Sequence, residues 1–407
     1  MTDPAAALAH CLRRDRGRIL AALIARVQDF QLAEDALQDA CVSALIHWGR
    51  AGPPHRPEAW LIRAAFRKAI DRLRGAARDS RQTAALTQLA RDEAADDPAS
   101  IPDERLRLIF ICCHPALDEK SRCALTLRTV CSLSTAEIAA AFLDTEPTMG
   151  QRISRAKARI AALNLRFDLP DPEDWPERLR SVLTVIYLIF TTGHTQSNTT
   201  LCQEAIFLAR LLQDLLPHDP ETQACLALML FSHARTTARA PNGQTIPPEA
   251  QDRSLWNTHE ITEALSLLNA AITQSRPGPM QLKAAIAAAH ILPPTPDWPQ
   301  TEALYARLLE LEPTPVVALN HAVALAENRQ PAQALHLLEP LAEALASYQP
   351  YHAALAHMLA LTNHPAAHAA YTTAIALAAN LADAAFLAER RENLLDAQAV
   401  NKTTPES

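Results

Sequence analysis

The sequence predicts an all-α chain ending in a helical repeat. Three observations carry this: only 8 glycines in 407 residues, abundant alanine, and few long β-branched runs. Hydrophobic residues make up 49%, enough for packed cores, and the length suits about two to four domains.

The elements follow in order. Residues Pro4–Gln28 and Gln31–Trp48 place apolar side chains at three- and four-residue spacing, which predicts two amphipathic helices. Gly49–Pro57 is rich in glycine and proline and ends the second. A third helix is expected from about Pro57, which suits a first turn, to Gly75. Its inward face is expected to carry Trp60, Leu61, Ala64, Ala65, Ile70 and Leu73. Residues 76–101 turn polar and then acidic and read as a linker. Helical periodicity returns at Pro102 and lasts to about Leu163. The stretch Asp168–Pro176, with three prolines and four acidic residues, marks a second boundary.

From Glu177 to Arg391 helix follows helix, broken near Pro217–Pro220, Pro241–Pro248, Pro277–Pro279, Pro293–Pro299 and Pro313–Pro315. Glu302–Pro313 followed by Val316–Glu327 resembles a tetratricopeptide unit. Glu204–Pro220 with Glu221–His233 is a looser copy, and Ala366–Ala379 a candidate third. Such pairs stack because one pair cannot bury its apolar face alone. The expected organisation is therefore 1–75, a linker 76–101, 102–167, a linker 168–176, and 177–407.

Net charge is −7, but its distribution is uneven. Residues 1–165 hold 24 basic against 20 acidic side chains; the rest hold 14 against 25. A basic front and an acidic back suit a DNA-contacting part joined to one that avoids DNA. Met1–His10 lacks the pattern of a signal peptide, and the longest apolar run, Ser181–Phe190, is far below the roughly 20 residues needed to span a bilayer. The chain reads as cytoplasmic, without a membrane partner. Its eight cysteines lie in apolar helical patterns, as reduced thiols do.

Two clusters of side chains carry the functional reading. Pro57–Arg81 holds Arg63, Arg67, Lys68, Arg72, Arg74, Arg78 and Arg81 against Glu58, Asp71 and Asp79, a stripe able to track phosphates or simply a solvated face. Ahead of it Glu34, Asp35, Gln38 and Asp39 lie on a helix whose other face is apolar, either balancing those arginines or docking a protein. The sharpest signal is Leu133–Phe142, a turn at Leu143–Thr148, and Met149–Ile160. Ser134 and Glu137 have capping-box spacing, and Pro147 fits only a first helical turn, so the segment reads as a helix-turn-helix. Its second helix is expected to bury Met149, Ile153, Ala156 and Ile160 and to expose Gln151, Arg152, Ser154, Arg155, Lys157 and Arg159, groups that read base edges and phosphates.

Taken together, Ala33–Trp48, Ala59–Leu61, Ala69–Arg74 and Ala124–Lys157 resemble regions 2 and 4 of extracytoplasmic-function RNA polymerase sigma factors. Ile109–Leu117, Val185–Phe190, Gln251–Ser254, Gln281–Ile286 and Pro315–Asn320 narrow the resemblance to the subgroup with a long C-terminal tetratricopeptide-like extension. The resemblance implies a promoter-specificity subunit whose partners are core polymerase, through its clamp helices and flap, and promoter DNA. Glu34, Asp35, Gln38 and Asp39 would grip the clamp helices. Arg63, Arg67, Lys68, Arg72 and Arg74 would hold the −10 strand, whose bases must leave the stack to be read. Gln151, Arg152, Ser154 and Arg155 would enter the −35 major groove, with Arg128, Lys157 and Arg159 on phosphates. The extension would modulate this activity by folding back or by binding a regulatory protein. Three positions depart from the usual pattern: Arg67 replaces a common Asn, Thr191–His194 replaces Asn-Glu-Gly-Tyr, and Leu255–Asn257 replaces Arg-Trp-Asp.

No P-loop, Gly-rich dinucleotide turn, G-x-S-x-G or H-E-x-x-H is present, and neither an enzyme activity nor a cofactor is expected. Cys112-Cys113-His114 lacks a C-x-x-C partner and reads as core thiols; a redox switch or a metal site shared with Cys123 and Cys131 are the alternatives. The competing whole-chain readings are a one-piece helix-turn-helix regulator with a sensing repeat domain, and a protein-binding scaffold.

Overall fold

The computed structural model describes residues 3–76, 104–142, 144–163, 165, 167–196, 198–239, 246, 250–274, 277–293, 295–378 and 381–403. The expected linker at 76–101 lies outside them except for its first residue. Among the described residues every regular element is helical, as the composition predicts. The chain forms two compact units, Met1–Leu208 and Ala209–Ser407.

The first unit opens with three helices: α1 (Pro4–Val27), α2 (Phe30–Ala51) and α3 (Pro57–Ala76). Their ends follow from sequence chemistry. The Asp3 and Asp29 carboxylates accept hydrogen bonds from the Ala5 and Leu32 amides, satisfying donors that a helix start leaves open. Gly52, at φ 79°, ends α2 in a conformation few other residues tolerate. Leu20, Leu23, Ile24, Leu37, Trp48, Leu61 and Phe66 fill the core between the three. Full burial stabilises each large apolar side chain by about 1.5–3 kcal/mol. The inward face of α3 is Ala59, Leu61, Ile62, Ala65, Phe66, Ala69 and Ile70. Trp60, Ala64 and Leu73, expected there, are only half-buried. Trp60 instead lies edge-on to Trp48, centroids 5.6 Å apart.

Four helices follow: α4 (Arg105–Cys112), α5 (Glu119–Thr129), α6 (Thr135–Ala141) and α7 (Glu146–Ala162). The acidic, proline-rich stretch at 168–176 then leads into α8 (Trp175–Thr195), and α9 (Thr199–Leu215) begins in this unit. The first unit thus runs through the stretch expected to be a linker. Helix α8 packs on α4 and α5, with the Trp175 ring 5.0 Å from that of Phe110. Its turn into α9 is close: a Cβ on Gly193 would meet the Asn198 carbonyl oxygen at 3.0 Å and Leu201 Cβ at 2.7 Å.

The second unit is built from successive helix pairs. Its hub is α10 (Pro220–His233), buried from Thr222 through Phe231, as expected of a helix apolar on every side. After α11 (Thr236–Arg239) and a 3₁₀ turn at Arg253–Leu255 come α12 (Thr258–Ile272), α13 (Pro279–Ile291), α14 (Trp298–Leu311), α15 (Pro315–Glu327), α16 (Pro331–Leu338), α17 (Gln349–Leu361), α18 (Ala367–Ala376) and α19 (Leu381–Thr403). Each of α13 to α18 packs on the helix that follows it, the arrangement of stacked tetratricopeptide-like pairs. Proline in the first turn and a capping side chain one or two residues earlier recur, as in Asp219-Pro220 and Thr314-Pro315. Leu319, Ala322, Leu325, Leu338, Tyr351 and Met358 form one shared core, and Ala356, Tyr371, Ala374 and Leu387 the next.

Candidate nucleic-acid and polymerase interface

The helix-turn-helix is α6, the turn and α7. Ser134 caps α6 through its hydroxyl at the Glu137 amide, while the Glu137 carboxylate returns to the Ser134 amide at 2.7 Å. The Ser134 hydroxyl, which donates to the Glu137 carboxylate at 2.6 Å, and then the Ser134 amide hold that carboxyl below its ordinary value. Pro147 stands in the first turn of α7, and Thr145 caps it. Met149, Ile153, Ala156 and Ile160 are buried, as their spacing predicts.

The outward residues of α7 divide into three groups. Gln151, Arg155 and Arg159, four residues apart, form an exposed stripe. Arg152 is turned back toward Asp118 (3.7 Å) and Asp144 (3.6 Å). Ser154 and Lys157 line a cleft of about 580 Å³ against the α1–α2 turn. Arg128 is committed to the fold: its guanidinium donates to the Leu133 carbonyl at 2.9 Å, and its own carbonyl accepts from Arg16 at 3.0 Å.

On α3, Arg63 and Arg67 are exposed and Lys68 is half-buried, and none has an ion-pair partner among the described residues. Arg72 is engaged, with Nη1 on Asp35 at 2.9 Å and Nη2 on Asp39 at 2.8 Å. The Arg74 side chain lies outside the described residues. On α2, Gln38 is exposed, and Glu34 receives Lys157 Nζ at 2.5 Å. The sequence reading missed a neighbouring feature: Val42, Leu45 and Ile46 stand out on α2 at 56%, 42% and 56% exposure. With Gln38 and Asp39 they make an apolar patch with an acidic border.

The three-helix bundle touches the segments that flank the helix-turn-helix at more than one point. The Phe167 amide donates to Gln28 Oε1 at 3.3 Å, and a Cβ on Gly17 would stand 2.6 Å from the Val130 carbonyl oxygen. The backbones of α1 and the end of α5 are therefore in direct contact.

Cys112, Cys113 and Cys123 lie in the layer between α4, α5 and α8. Cys112 Sγ lies 3.2 Å from Thr129 Oγ1, and Cys113 Sγ 3.5 Å from Thr126 Oγ1. Burial raises the Cys112 thiol, and pushes Cys113 up to about 11 and Cys123 up to about 12. Cys131 is raised well above the ordinary thiol by burial and by Glu204, whose own carboxyl burial raises. Burial and the nearby Arg178 and Arg122 pull His114 down to about 4. Among the described residues no three His, Cys, Asp or Glu side chains are grouped to hold a metal ion. Arg178 Nη2 donates to the Phe110 carbonyl at 2.8 Å, and Ser181 Oγ to that of Cys113 at 2.7 Å, fixing α8 to α4.

This combination, a three-helix bundle with a basic third helix followed by a helix-turn-helix, defines a two-part promoter-recognition protein. Residues 11–79 match sigma-70 region 2, and residues 107–160 match sigma-70 region 4. The chain belongs to the sigma-70 family, as an extracytoplasmic-function sigma factor with a C-terminal helical extension. Within the extension, residues 178–272 match a family of unknown function, DUF6596. An uncharacterized protein of Rhizobium meliloti (strain 1021) is 42% identical over 399 residues, which cover 93% of this chain and 94% of that one. The crystal structure of yeast Tom70 aligns with 98% of this chain and 85% of its own at 14% identity and a TM-score of 0.37, too loose a superposition to define a shared fold.

Proposed function

We propose that this sigma factor brings core RNA polymerase to its promoters by reading a −35 element with α7 and a −10 element with α3, the polymerase gripping α2. The observation that carries the −35 assignment is the open Gln151, Arg155 and Arg159 stripe on a capped helix-turn-helix. Such side chains offer the donors and acceptors that base edges and phosphates require. Arg63, Arg67 and Lys68 supply unpaired cations to the −10 strand; Arg72 orients Asp35 and Asp39 and joins the strand if that network opens. Arg74 is assigned to the same strand by its place in the region 2 match.

For the polymerase contact, Val42, Leu45 and Ile46 add burial area to Glu34, Asp35, Gln38 and Asp39. An apolar centre with a charged rim is the usual anatomy of a protein interface. In the structure Glu34 and Lys157, assigned here to different partners, hold each other. Engaging both partners therefore requires that pair to part. The chain makes no covalent bond itself and acts in the cytosol, where the polymerase is.

The extension is read as a control element, because its first helix, α8, is packed onto the helices that carry region 4. Run-off transcription with purified core polymerase, on promoters selected from a random pool, tests the whole reading. The expected result is specific initiation that Arg155→Ala weakens. Failure of a holoenzyme to form, or to initiate on any selected sequence, overturns it.

A further inference from the structure

The extension is acidic, yet it holds an arginine, Arg235, that has no carboxylate partner among the described residues. Arg235 starts α11, its carbonyl accepting from the Ala238 and Arg239 amides. Its guanidinium lies 5.9 Å from the centre of the Trp256 ring, and Nε and Nη1 are buried without a hydrogen-bond partner. Burial, and then the charge of another cation, Arg239, pull it below its ordinary value. On the same indole, the Arg253 guanidinium lies 4.9 Å from the ring centre. Trp256 is 7% exposed, and its Nε1–H is also buried and unpartnered.

Buried guanidinium nitrogens without a partner or counter-charge are costly for a fold to hold, and buried polar groups in native proteins are nearly always paired. Cation–π contact with Trp256 offsets part of that cost but satisfies no N–H. The donors left over are a guanidinium edge and an indole N–H, beside a second guanidinium. The complement of that set is an oxyanion, which accepts two parallel bonds from an arginine fork.

We propose that Arg235, Arg253 and Trp256 form a binding site for a small oxyanion, the carboxylate or phosphate group of a metabolite. The site joins three segments of the second unit. Arg235 follows α10, Trp256 follows the 3₁₀ turn, and Arg253 Nη2 donates to the Pro293 carbonyl beyond α13 at 2.7 Å. The Asn257 amide donates to the Ala234 carbonyl at 2.9 Å, tying the turn to the end of α10. A bound anion stiffens that junction. The site is independent of the DNA and polymerase assignments and gives the extension a chemical input.

The test uses the full chain and two probes, inorganic phosphate and citrate. Both are applied at low millimolar concentration, below the range in which these ions stabilise proteins by exclusion from the surface. Thermal unfolding and calorimetric titration are followed with chloride of equal ionic strength as reference. Wild type is expected to show a saturable rise in melting temperature with at least one probe, and which probe acts separates the phosphate source from the carboxylate. Arg235→Met removes the unpaired charge, so it is expected to melt higher than wild type without ligand and to lose the response. Arg235→Lys keeps the charge without the fork and is expected to bind about tenfold more weakly. Any one of three results overturns the proposal: no saturable response beyond chloride, a response that Arg235→Met retains in full, or an Arg235→Met protein that melts below wild type, since the arginine is then a structural element.

Discussion

Reversing the charge of Lys157 is expected to open the contact between region 2 and region 4. Two unit charges about 4 Å apart attract by about 4 kcal/mol at the effective dielectric of a protein surface, before desolvation is subtracted. Exposed pairs retain only about 0.2–1 kcal/mol, whereas breaking a fully buried one costs about 3–5 kcal/mol. The side chains of Lys157 and Glu34 are 16% and 17% exposed, which places the pair between these limits. About 2 kcal/mol is the working value, or about 30-fold in the equilibrium between closed and open arrangements. Lys157→Glu adds repulsion, so the effect should be at least that large. The assay is amide hydrogen exchange on the full chain without polymerase. Its reporter is Phe167, whose amide donates to Gln28 across the contact. Exchange there should quicken about 30-fold in Lys157→Glu and in Glu34→Lys, and return toward wild type in the double reversal, since a cycle isolates the pair. Gly17→Ala should act in the same direction without changing a charge, because the Val130 backbone cannot yield. Exchange within about twofold of wild type in both single reversals would refute the reasoning.

Other expectations follow from the same geometry. A chain ending at Leu169 is expected to lose region 4 stability, because removing α8 uncovers Phe110 and Cys123, whereas a chain ending at Leu208 should keep it; thermal unfolding of the two separates these outcomes. Gln151→Ala and Arg155→Ala should each weaken −35 duplex binding by about 1–3 kcal/mol and relax discrimination at one base step, as read by competition between duplexes of altered sequence. Val42→Asp with Ile46→Asp should cost core polymerase binding at least tenfold while leaving the melting temperature nearly unchanged, since both side chains are already in solvent. The Glu327 carboxyl is held below its ordinary value by the His357 hydrogen bond, and by the charges of His357 and Arg390. Its contribution is therefore present above the ordinary glutamate value of about 4.3 and lost as pH falls through the depressed one. The stability gap between wild type and Glu327→Gln should narrow over that interval, and a gap that stays constant or widens contradicts the assignment.

How much of this was legible in the sequence depends on how far apart the interacting residues lie. Helix ends are local chemistry, so Ser134 with Glu137, and Pro147, announce them within three or four residues. The buried face of α7 follows from Met149, Ile153, Ala156 and Ile160 in the same way. On α3 the signal is weaker, because Arg63, Arg67 and Lys68 interrupt the apolar run. The face expected from the sequence omits Ala59, Ile62, Phe66 and Ala69, all of which are buried. The pairing of Arg72 with Asp35 and Asp39 spans more than thirty residues and that of Lys157 with Glu34 spans 123, and no periodicity encodes either.

The fate of α8 has a different cause. Ser181–Phe190 is too apolar for a helix with one solvent face, which signals more than one buried side, but the acidic, proline-rich stretch before it looked like a boundary. Proline and acidic residues record where a helix begins; they do not record what it packs against. Arg122, Arg178 and Ser181 decide that: Arg122 donates to Ser181, Ser181 to the Cys113 carbonyl, and Arg178 to the Phe110 carbonyl. The helix that opens the extension is thereby part of the core that supports the helix-turn-helix. On the proposed reading of the extension as a control element, a signal that shifts α8 strains those bonds and needs no separate docking event to reach region 4. Ser181→Ala tests this step: it removes the hydroxyl that accepts from Arg122 and donates to Cys113, and should loosen α8 by about 1–3 kcal/mol as two buried polar groups lose a partner. If the variant melts like wild type and initiates transcription like wild type, α8 is only a cover, and the route from extension to promoter lies elsewhere.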